Sequence, residues 1–149
     1  MSLELRAARG PAEYPTLLEI WRSAVEATHD FLTPEDVEYY AALVPGYLPE
    51  VELTVAVVDG RLVGFSGTGG GELHMLFVHN DFRGRGVGTA LLREAWGRYP
   101  ALTLDVNEQN PPAAGFYARQ GFVVVGRSET DGEGRPFPLL HLSRSSNQD

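Results

Sequence analysis

The chain contains no cysteine and no lysine among its 149 residues, and all twelve of its Lys+Arg positions are arginine. Without cysteine it has no disulfide framework, no thiolate zinc site and no cysteine nucleophile. Without lysine it has neither Schiff-base chemistry nor the lysine of a P-loop. Covalent catalysis through either side chain is therefore excluded.

Positive charge is also scarce, with 12 basic against 20 acidic residues and a formal net charge of −8. This balance argues against nucleic acid as a partner, because nucleic-acid binders carry a basic face. No apolar run approaches the ~18 residues of a membrane span, and residues 1–4 do not begin a signal peptide. We therefore expect a cytoplasmic protein with no membrane partner.

The length fits one domain, which should bury roughly 68–70% of the surface of the unfolded chain. No repeat or linker divides the sequence, so residues 1–142 are predicted to form a single domain. Residues 143–149 are polar and terminal, which predicts a disordered tail.

Apolar periodicity and turn residues predict the element order β-α-α-β-β-β-α-β-α-β-β. A cap at Thr33 with Pro34 behind it marks the start of the second helix, and Asp59-Gly60 is typical of a hairpin turn. The predicted strands and helices are strands at 3–6, 53–58, 62–67, 72–79, 102–106, 122–127 and 139–142, and helices at 13–27, 33–46, 87–99 and 111–120.

The most informative stretch, residues 83–89, reads Arg-Gly-Arg-Gly-Val-Gly-Thr and joins a predicted strand to a predicted helix. Glycines allow a tight turn whose N–H groups converge, and a helix N-terminus attracts anions. The turn therefore predicts a phosphate-bearing ligand. It does not fit the dinucleotide fingerprint, because Thr89 and Leu91 stand where a third glycine is needed.

Two motifs carry a resemblance to a known family. The first is Val78-(x4)-Arg83-(x2)-Gly86-x-Gly88, and the second runs from Val106-Asn107 through Asn110, Ala113 and Phe116-Tyr117 to Gly121-Phe122. With these motifs in that element order, the chain resembles the GCN5-related N-acetyltransferase (GNAT) superfamily, in particular its small bacterial members. The resemblance implies an α/β fold with a mixed, mostly antiparallel central sheet flanked by helices and splayed between strands 4 and 5.

The resemblance also implies acetyl-CoA as co-substrate and no metal. The pantetheine arm would pair with the fourth strand, and the glycine-rich turn would bind the pyrophosphate. The cofactor-binding residues implied are Leu76, Phe77, Val78, Arg83, Gly84, Arg85, Gly86, Val87, Gly88, Thr89, Asn110, Phe116 and Tyr117. For Arg85, exposure to solvent is the alternative, and for Asn110 the alternative is a helix cap before Pro111.

Four residues are implied in the chemistry. A β-bulge near Leu76 would leave its N–H free to polarise the thioester carbonyl, and Tyr117 would protonate the departing thiolate. His74 is the first candidate for the base and Glu72 the second; on a regular strand both would share a face with Leu76. Structural roles remain the alternative for each.

The acceptor is expected to be a small-molecule or peptide amine. Residues 28–31, which read Thr28-His29-Asp30-Phe31, resemble a segment of small bacterial members and are the predicted acceptor contact. Between positions 23 and 60 the chain has eight acids and no arginine: Glu26, Asp30, Glu35, Asp36, Glu38, Glu50, Glu52 and Asp59. That excess would attract a cationic acceptor, and a solvated acidic face is the alternative.

The sequence thus favours an N-acetyltransferase that transfers an acetyl group directly to a primary amine in a ternary complex. A non-catalytic acyl-CoA binding or sensing domain is the alternative, and a Rossmann-type oxidoreductase is disfavoured by the missing glycine and the early antiparallel strands. An acyl donor longer than acetyl stays open, as does the choice between monomer and homodimer.

Overall fold

Seven strands and four α-helices follow one another in the predicted order in the computed structural model, which describes residues 2–144. They are β1 (Leu3–Ala7), α1 (Tyr14–Thr28), α2 (Pro34–Tyr47), β2 (Glu52–Val58), β3 (Arg61–Gly69), β4 (Glu72–Val78), α3 (Val87–Arg98), β5 (Thr103–Asn107), α4 (Pro111–Arg119), β6 (Val123–Ser128) and β7 (Leu139–Ser143). Short 3₁₀ turns at Pro11–Glu13, Leu48–Glu50 and Asn80–Phe82 join some of them.

The strands form one sheet in the order β1-β2-β3-β4-β5-β7-β6. Every neighbouring pair is antiparallel except β4 and β5, which run parallel. The predicted hairpin turn joins β2 to β3, with positive φ at both Asp59 (51°) and Gly60 (83°). The mixed, mostly antiparallel sheet is therefore confirmed.

Helices α1 and α2 cover one face of the sheet, and α3 and α4 cover the other. Successive strand residues point to opposite faces, so Val55 packs with α1 and α2, whereas its neighbour Ala56 packs with α3. A third cluster packs α3 and α4 against Leu104 and Val106 of β5. The sheet is thus covered on both faces at β2 and β3, whereas the residues of β5 that alternate with Leu104 and Val106 are exposed or half-buried.

The second helix begins as its sequence predicts. Thr33 accepts from the N–H of Asp36, and the Asp36 carboxylate accepts from the N–H of Thr33, which makes a capping box. Its predicted end at 45–46 is wrong by a residue or two, because the φ of proline is helical and the N–H of Leu48 still bonds the carbonyl of Val44. None of the described helices is long and apolar enough to cross a membrane.

The last strand runs one residue further than predicted and includes Ser143. Arg144 follows it and is buried: its Nε donates to the carbonyl of Gln120 at 2.9 Å, and its guanidinium lies 4.1 Å from the centre of the Trp96 ring. The first two residues of the predicted tail are therefore part of the folded domain. Residues 145–149 lie outside the described part of the chain.

Candidate active site

A cleft opens where β4 and β5 separate. The two strands pair only at Glu72 with Thr103 and at Leu73 with Leu104, and beyond these residues they diverge as the resemblance implies. The cleft has a volume of about 730 Å³. Its wall is formed by β4, the turn before α3, β5, α4 and the C-terminal end of α1.

Most of the predicted site residues lie on this wall, although they come from distant parts of the sequence. Those that line the cleft are Thr28, His29, His74, Leu76, Phe77, Val78, Arg83, Gly84, Gly86, Val87, Gly88, Thr89, Asn110, Phe116 and Tyr117. Four others are not among the lining residues: Asp30, Phe31, Glu72 and Arg85.

The β-bulge that the resemblance implies near Leu76 lies at His74. Gly67 pairs with Met75 and Thr68 with Leu73, which leaves His74 as the extra residue of β4. A bulge reverses the alternation of side chains, so Leu76 packs with α3 and α4 in the same cluster as Leu73. The expectation that Leu76 shares a face with Glu72 and His74 is therefore wrong.

The N–H of Leu76 nevertheless points into the cleft. The N–H of His79 donates to the carbonyl of Val63 on β3 at 2.8 Å. Because antiparallel hydrogen bonds alternate along a strand, Phe77 and Met75 also face β3, whereas the N–H groups of Val78 and Leu76 face the other way. On that side β5 has already diverged, so these two N–H groups meet the cleft and not a neighbouring strand.

The glycine-rich turn presents a second set of N–H groups. Gly84 and Gly86 have φ of 74° and 83°, a left-handed conformation that favours glycine. The first bond within α3 runs from the N–H of Ala90 to the carbonyl of Gly86, whose own position offers no side-chain cap. The N–H groups of residues 87–89 therefore have no partner within the helix, and these residues line the cleft, where a helix N-terminus favours an anion.

The two arginines of the turn differ in their surroundings. Arg83 lines the cleft, and its Nη1 donates to the Asn80 side chain at 3.3 Å. The guanidinium of Arg85 instead lies 5.3 Å from the centre of the Phe82 ring, and Arg61 lies 5.2 Å from the same ring. The alternative of a surface role for Arg85 thus fits its contacts, whereas Arg83 is positioned to meet an anion.

Helix α4 contributes Tyr117, which is buried at 9% exposure. Its ring packs edge-on against Phe116 and Phe122, with ring centroids 5.2 Å and 5.7 Å away. Burial raises the pKa of the hydroxyl above its usual range, so this group stays protonated at neutral pH. Among the described residues the hydroxyl has no hydrogen-bond partner, which leaves its proton available to a ligand in the cleft.

Asn110 caps a helix and also lies on the cleft wall. Its Oδ1 accepts from the N–H of Ala113 at 3.4 Å, so it caps α4. The residue is buried and also lines the cleft, where its amide NH₂ faces no described hydrogen-bond partner. A cap and a ligand contact are therefore compatible, because the amide oxygen and nitrogen serve different partners.

At the end of α1, His29 is held in one tautomer. The hydroxyl of Thr28 donates to the carbonyl of Ala24 at 2.7 Å, so its oxygen accepts from Nδ1–H of His29 at 2.8 Å. Burial lowers the pKa of His29 to about 4, which keeps the ring neutral. Residues 28–31 do not all line the cleft. The Phe31 ring packs between the rings of His29 and Phe137, with ring centroids 5.2 Å and 5.7 Å away.

The base candidates His74 and Glu72 are neighbours but are positioned differently. The Nδ1 of His74 lies 3.5 Å from the Glu72 carboxylate, and its Nε2 lies 3.2 Å from the carbonyl of Gly69. A carbonyl only accepts, so Nε2 is the nitrogen that donates, and Nδ1 is the one that faces the Glu72 carboxylate. Only His74 of this pair lines the cleft.

Sequence reasoning missed Asp105, the one carboxylate among the described residues that line the cleft. The alternation of apolar and polar residues along β5 could have indicated it. Leu104 and Val106 are buried, whereas Thr103, Asp105 and Asn107 point to the other face of β5. A polar residue in a short strand beside a splayed junction faces the cleft.

The acidic segment is partly neutralised by arginines from outside it. Arg22 pairs with Glu38 at 2.6 Å, Arg98 with Glu52 at 3.4 Å, and Arg135 with Asp36. Arg135 also lies 4.3 Å from the centre of the Tyr39 ring, which joins the β6–β7 connection to α2. The excess of acid seen in the sequence is therefore smaller on the folded surface.

The splayed β4–β5 junction, the uncapped N-terminus of α3 and the buried Tyr117 meet at one cleft, an arrangement typical of an acyltransferase site. The model of a family described as "Acetyltransferase (GNAT) domain" matches residues 49–124. The peptidyl-lysine N-acetyltransferase YjaB of Salmonella typhimurium is 45% identical over 143 residues, which cover 95% of this chain and 98% of that protein.

Solved structures of similar proteins have the same fold. The solution structure of apo-form YjaB from Escherichia coli has a TM-score of 0.90 at 44% identity, covering 97% of this chain and 98% of the other. The PaiA N-acetyltransferase of Thermoplasma acidophilum in complex with coenzyme A shares the fold, with a TM-score of 0.76 at 22% identity and coverage of 97% and 99%. The chain belongs to the GNAT family and is an N-acetyltransferase, which confirms the resemblance and the enzyme class.

Proposed function

We propose that this enzyme transfers the acetyl group of acetyl-CoA directly to a primary amine, and that the amine is a lysine side chain of a protein or peptide. The observation that carries the proposal is the convergence of the Leu76 N–H and the buried Tyr117 on one cleft. The acceptor class is supported by a relative 45% identical over 95% of the chain, which is named a peptidyl-lysine N-acetyltransferase.

Acetyl-CoA would lie along the cleft with its ends recognised by different groups. The unpartnered N–H groups of residues 87–89 would bind the pyrophosphate, with Arg83 beside them. The pantetheine amides would pair with the outward N–H and C=O groups of Val78, with the C=O of Leu76 and with the Asn110 amide, which leaves the Leu76 N–H for the thioester. Phe116 would pack against the arm as one apolar wall of the cleft.

The chemistry needs a polarised carbonyl and a leaving thiolate. The N–H of Leu76 would donate to the thioester oxygen and stabilise the oxyanion as the amine attacks. The C–N bond then forms, the C–S bond breaks, and the Tyr117 hydroxyl gives its proton to the sulfur of CoA. The attacking nitrogen loses its second proton as the amide forms, and this proton passes through solvent to restore the Tyr117 hydroxyl. Because the pKa of Tyr117 is raised, the hydroxyl carries that proton throughout the physiological pH range.

The acceptor amine must lose a proton before it attacks, because a lysine has a pKa near ~10.4 in water. His74 is the proposed proton acceptor through Nδ1, with Glu72 at 3.5 Å to take up or share the proton. His29 and Thr28 at the end of α1 would contact the acceptor, and Asp30 and Phe31 would shape its entrance.

Direct transfer is tested with lysine peptides and with matched peptides that carry arginine in place of lysine. Thiol release from acetyl-CoA and a mass gain on the peptide should both require the lysine. Intact-mass measurement of enzyme incubated with acetyl-CoA alone should show no acetyl-enzyme, in line with the absence of cysteine. A stable acetyl-enzyme that transfers its group to peptide would contradict direct transfer.

A further inference from the structure

Three hydrogen-bonded side chains lie in a row across the sheet beside the cleft. Asp105 of β5 lies opposite His141 of β7, and His141 lies opposite Gly126 of β6, two residues before Ser128. The Nδ1 of His141 is 2.6 Å from Oδ1 of Asp105, and its Nε2 is 2.6 Å from the Ser128 hydroxyl. The three side chains therefore share one face of the sheet.

The hydrogen bonds in this row of side chains have a defined direction. An ionised carboxylate only accepts, so His141 donates from Nδ1 to Asp105. In the neutral ring Nε2 then accepts, and the Ser128 hydroxyl donates to it. The order serine, histidine, aspartate is that of a hydrolase triad, in which the serine faces the substrate.

Here the aspartate end, and not the serine end, lies at the cleft. Asp105 lines the cleft, whereas His141 and Ser128 are not among its lining residues. The hydrogen bonds among the described residues use only Oδ1 of Asp105 and leave Oδ2 for another donor. Asp105 thus lines the cleft with one carboxylate oxygen held by His141 and the other unpaired among the described residues.

We propose that Asp105 is the subsite for the ammonium group of the acceptor lysine, and that His141 and Ser128 are positioning residues that fix its carboxylate. The inference rests on the proposed transfer to lysine. A lysine arrives as a cation, and the other charged side chains that line the cleft, Arg83 and Arg119, are themselves cations. Asp105 is therefore the group in the described wall that can pair with it by charge.

The decisive variant is Asp105→Asn, which keeps the shape and removes the charge. Its kcat/KM is compared with wild type for a lysine peptide and for the same peptide bearing an aminooxy analogue, whose nitrogen is uncharged at neutral pH. We expect a loss of about 10–100-fold for lysine, typical of a charge-assisted hydrogen bond, and a loss under about threefold for the analogue. The KM for acetyl-CoA should stay unchanged.

Two further variants test the positioning role. Ser128→Ala and His141→Gln should raise the KM for the lysine peptide several-fold with a smaller change in kcat, and each should discriminate lysine from the analogue less than wild type does. Glu129→Gln is the matched control, since Glu129 follows Ser128, is 85% exposed and does not line the cleft. It should behave as wild type.

Equal losses for both acceptors in Asp105→Asn would overturn the subsite. Acetylation of Ser128, found by peptide mass spectrometry, would also overturn it, because the three side chains would then activate a serine nucleophile. If Asp105→Asn does not fold, unchanged selectivity in Ser128→Ala would overturn it instead. Wild type that acetylates no lysine peptide refutes the proposed function, whereas active wild type with non-selective variants refutes this inference alone.

Discussion

The ring of His29 donates from Nδ1 to the hydroxyl of Thr28 at 2.8 Å, and this hydroxyl donates in turn to the carbonyl of Ala24 in α1. The remaining nitrogen, Nε2, is therefore unprotonated in a wall residue of the cleft. This arrangement ties a predicted acceptor contact to the stability of the fold, because burial disfavours the charged ring.

Stability should consequently fall in mild acid. The pKa of His29 is about 4 in the folded protein, below the ~6.5 of the unfolded chain. Between these values the unfolded state binds the extra proton, so stability is full above pH 6.5 and declines toward pH 4, by about 3 kcal/mol at most. Thermal melts of wild type and His29→Gln from pH 8 to 4.5 should diverge only below about pH 6.5. Parallel curves would contradict a buried neutral ring.

The anion site is best tested at Gly88. A Cβ there would lie 3.7 Å from Val78 and 3.8 Å from Phe116, which are ordinary contacts, so Gly88→Ala should fold. Because residue 88 lines the cleft, the methyl group should lower CoA affinity, measured by calorimetry, by about tenfold or more.

Gly97→Ala in the same helix is the matched control, since a Cβ there meets nothing within 4 Å. It should keep the affinity of wild type and raise the stability of α3 slightly. Gly86→Val is a less specific test, because the left-handed conformation of Gly86 (φ 83°) would be strained by a branched side chain. Equal affinity in both alanine variants would remove the first turn of α3 from the CoA site.

The order of the elements could be predicted because it follows from local signals. Apolar alternation, the capping residues at Thr33 and the turn at Asp59-Gly60 act over a few residues, and the structure places each of them as expected. The glycine-rich turn was predictable for the same reason, since glycine alone adopts the φ that it needs at low cost.

Features that depend on the register between strands could not be predicted from periodicity. The bulge at His74 arises from the register of β4 against β3, and an extra residue leaves no mark on the sequence periodicity. Asp105 and His141 are 36 residues apart and meet only because β5 pairs with β7. The predicted face shared by His74 and Leu76 failed for the first of these reasons.

The role of the acidic surface can be tested at Glu35. Asp36 is unsuitable, since it forms the capping box and pairs with Arg135. Glu35→Arg should weaken a cationic acceptor peptide more than a neutral one, and the difference should shrink with added salt, which screens exposed charges over ~8–10 Å. Equal effects on both peptides would identify these acids as a solvated face.

The titration of Tyr117 offers a check that does not depend on turnover. Its pKa is raised by burial, so it should ionise at higher pH than an exposed tyrosine with a pKa near ~10. Subtracting the alkaline absorbance titration of Tyr117→Phe from that of wild type should isolate a transition above pH ~10. A transition at or below that pH would mean that the hydroxyl is solvated in the free enzyme.

The most direct test of the account is the turnover of Tyr117→Phe with acetyl-CoA and a lysine peptide. The substitution keeps the ring packing against Phe116 and Phe122 and removes only the hydroxyl. Tyr99→Phe is the control, because the Tyr99 hydroxyl bonds Glu52 away from the cleft. The account predicts that kcat falls by ~10²–10⁴-fold in Tyr117→Phe with little change in acetyl-CoA affinity, and that Tyr99→Phe turns over as wild type does. Full turnover by Tyr117→Phe would contradict the proposed role of the hydroxyl.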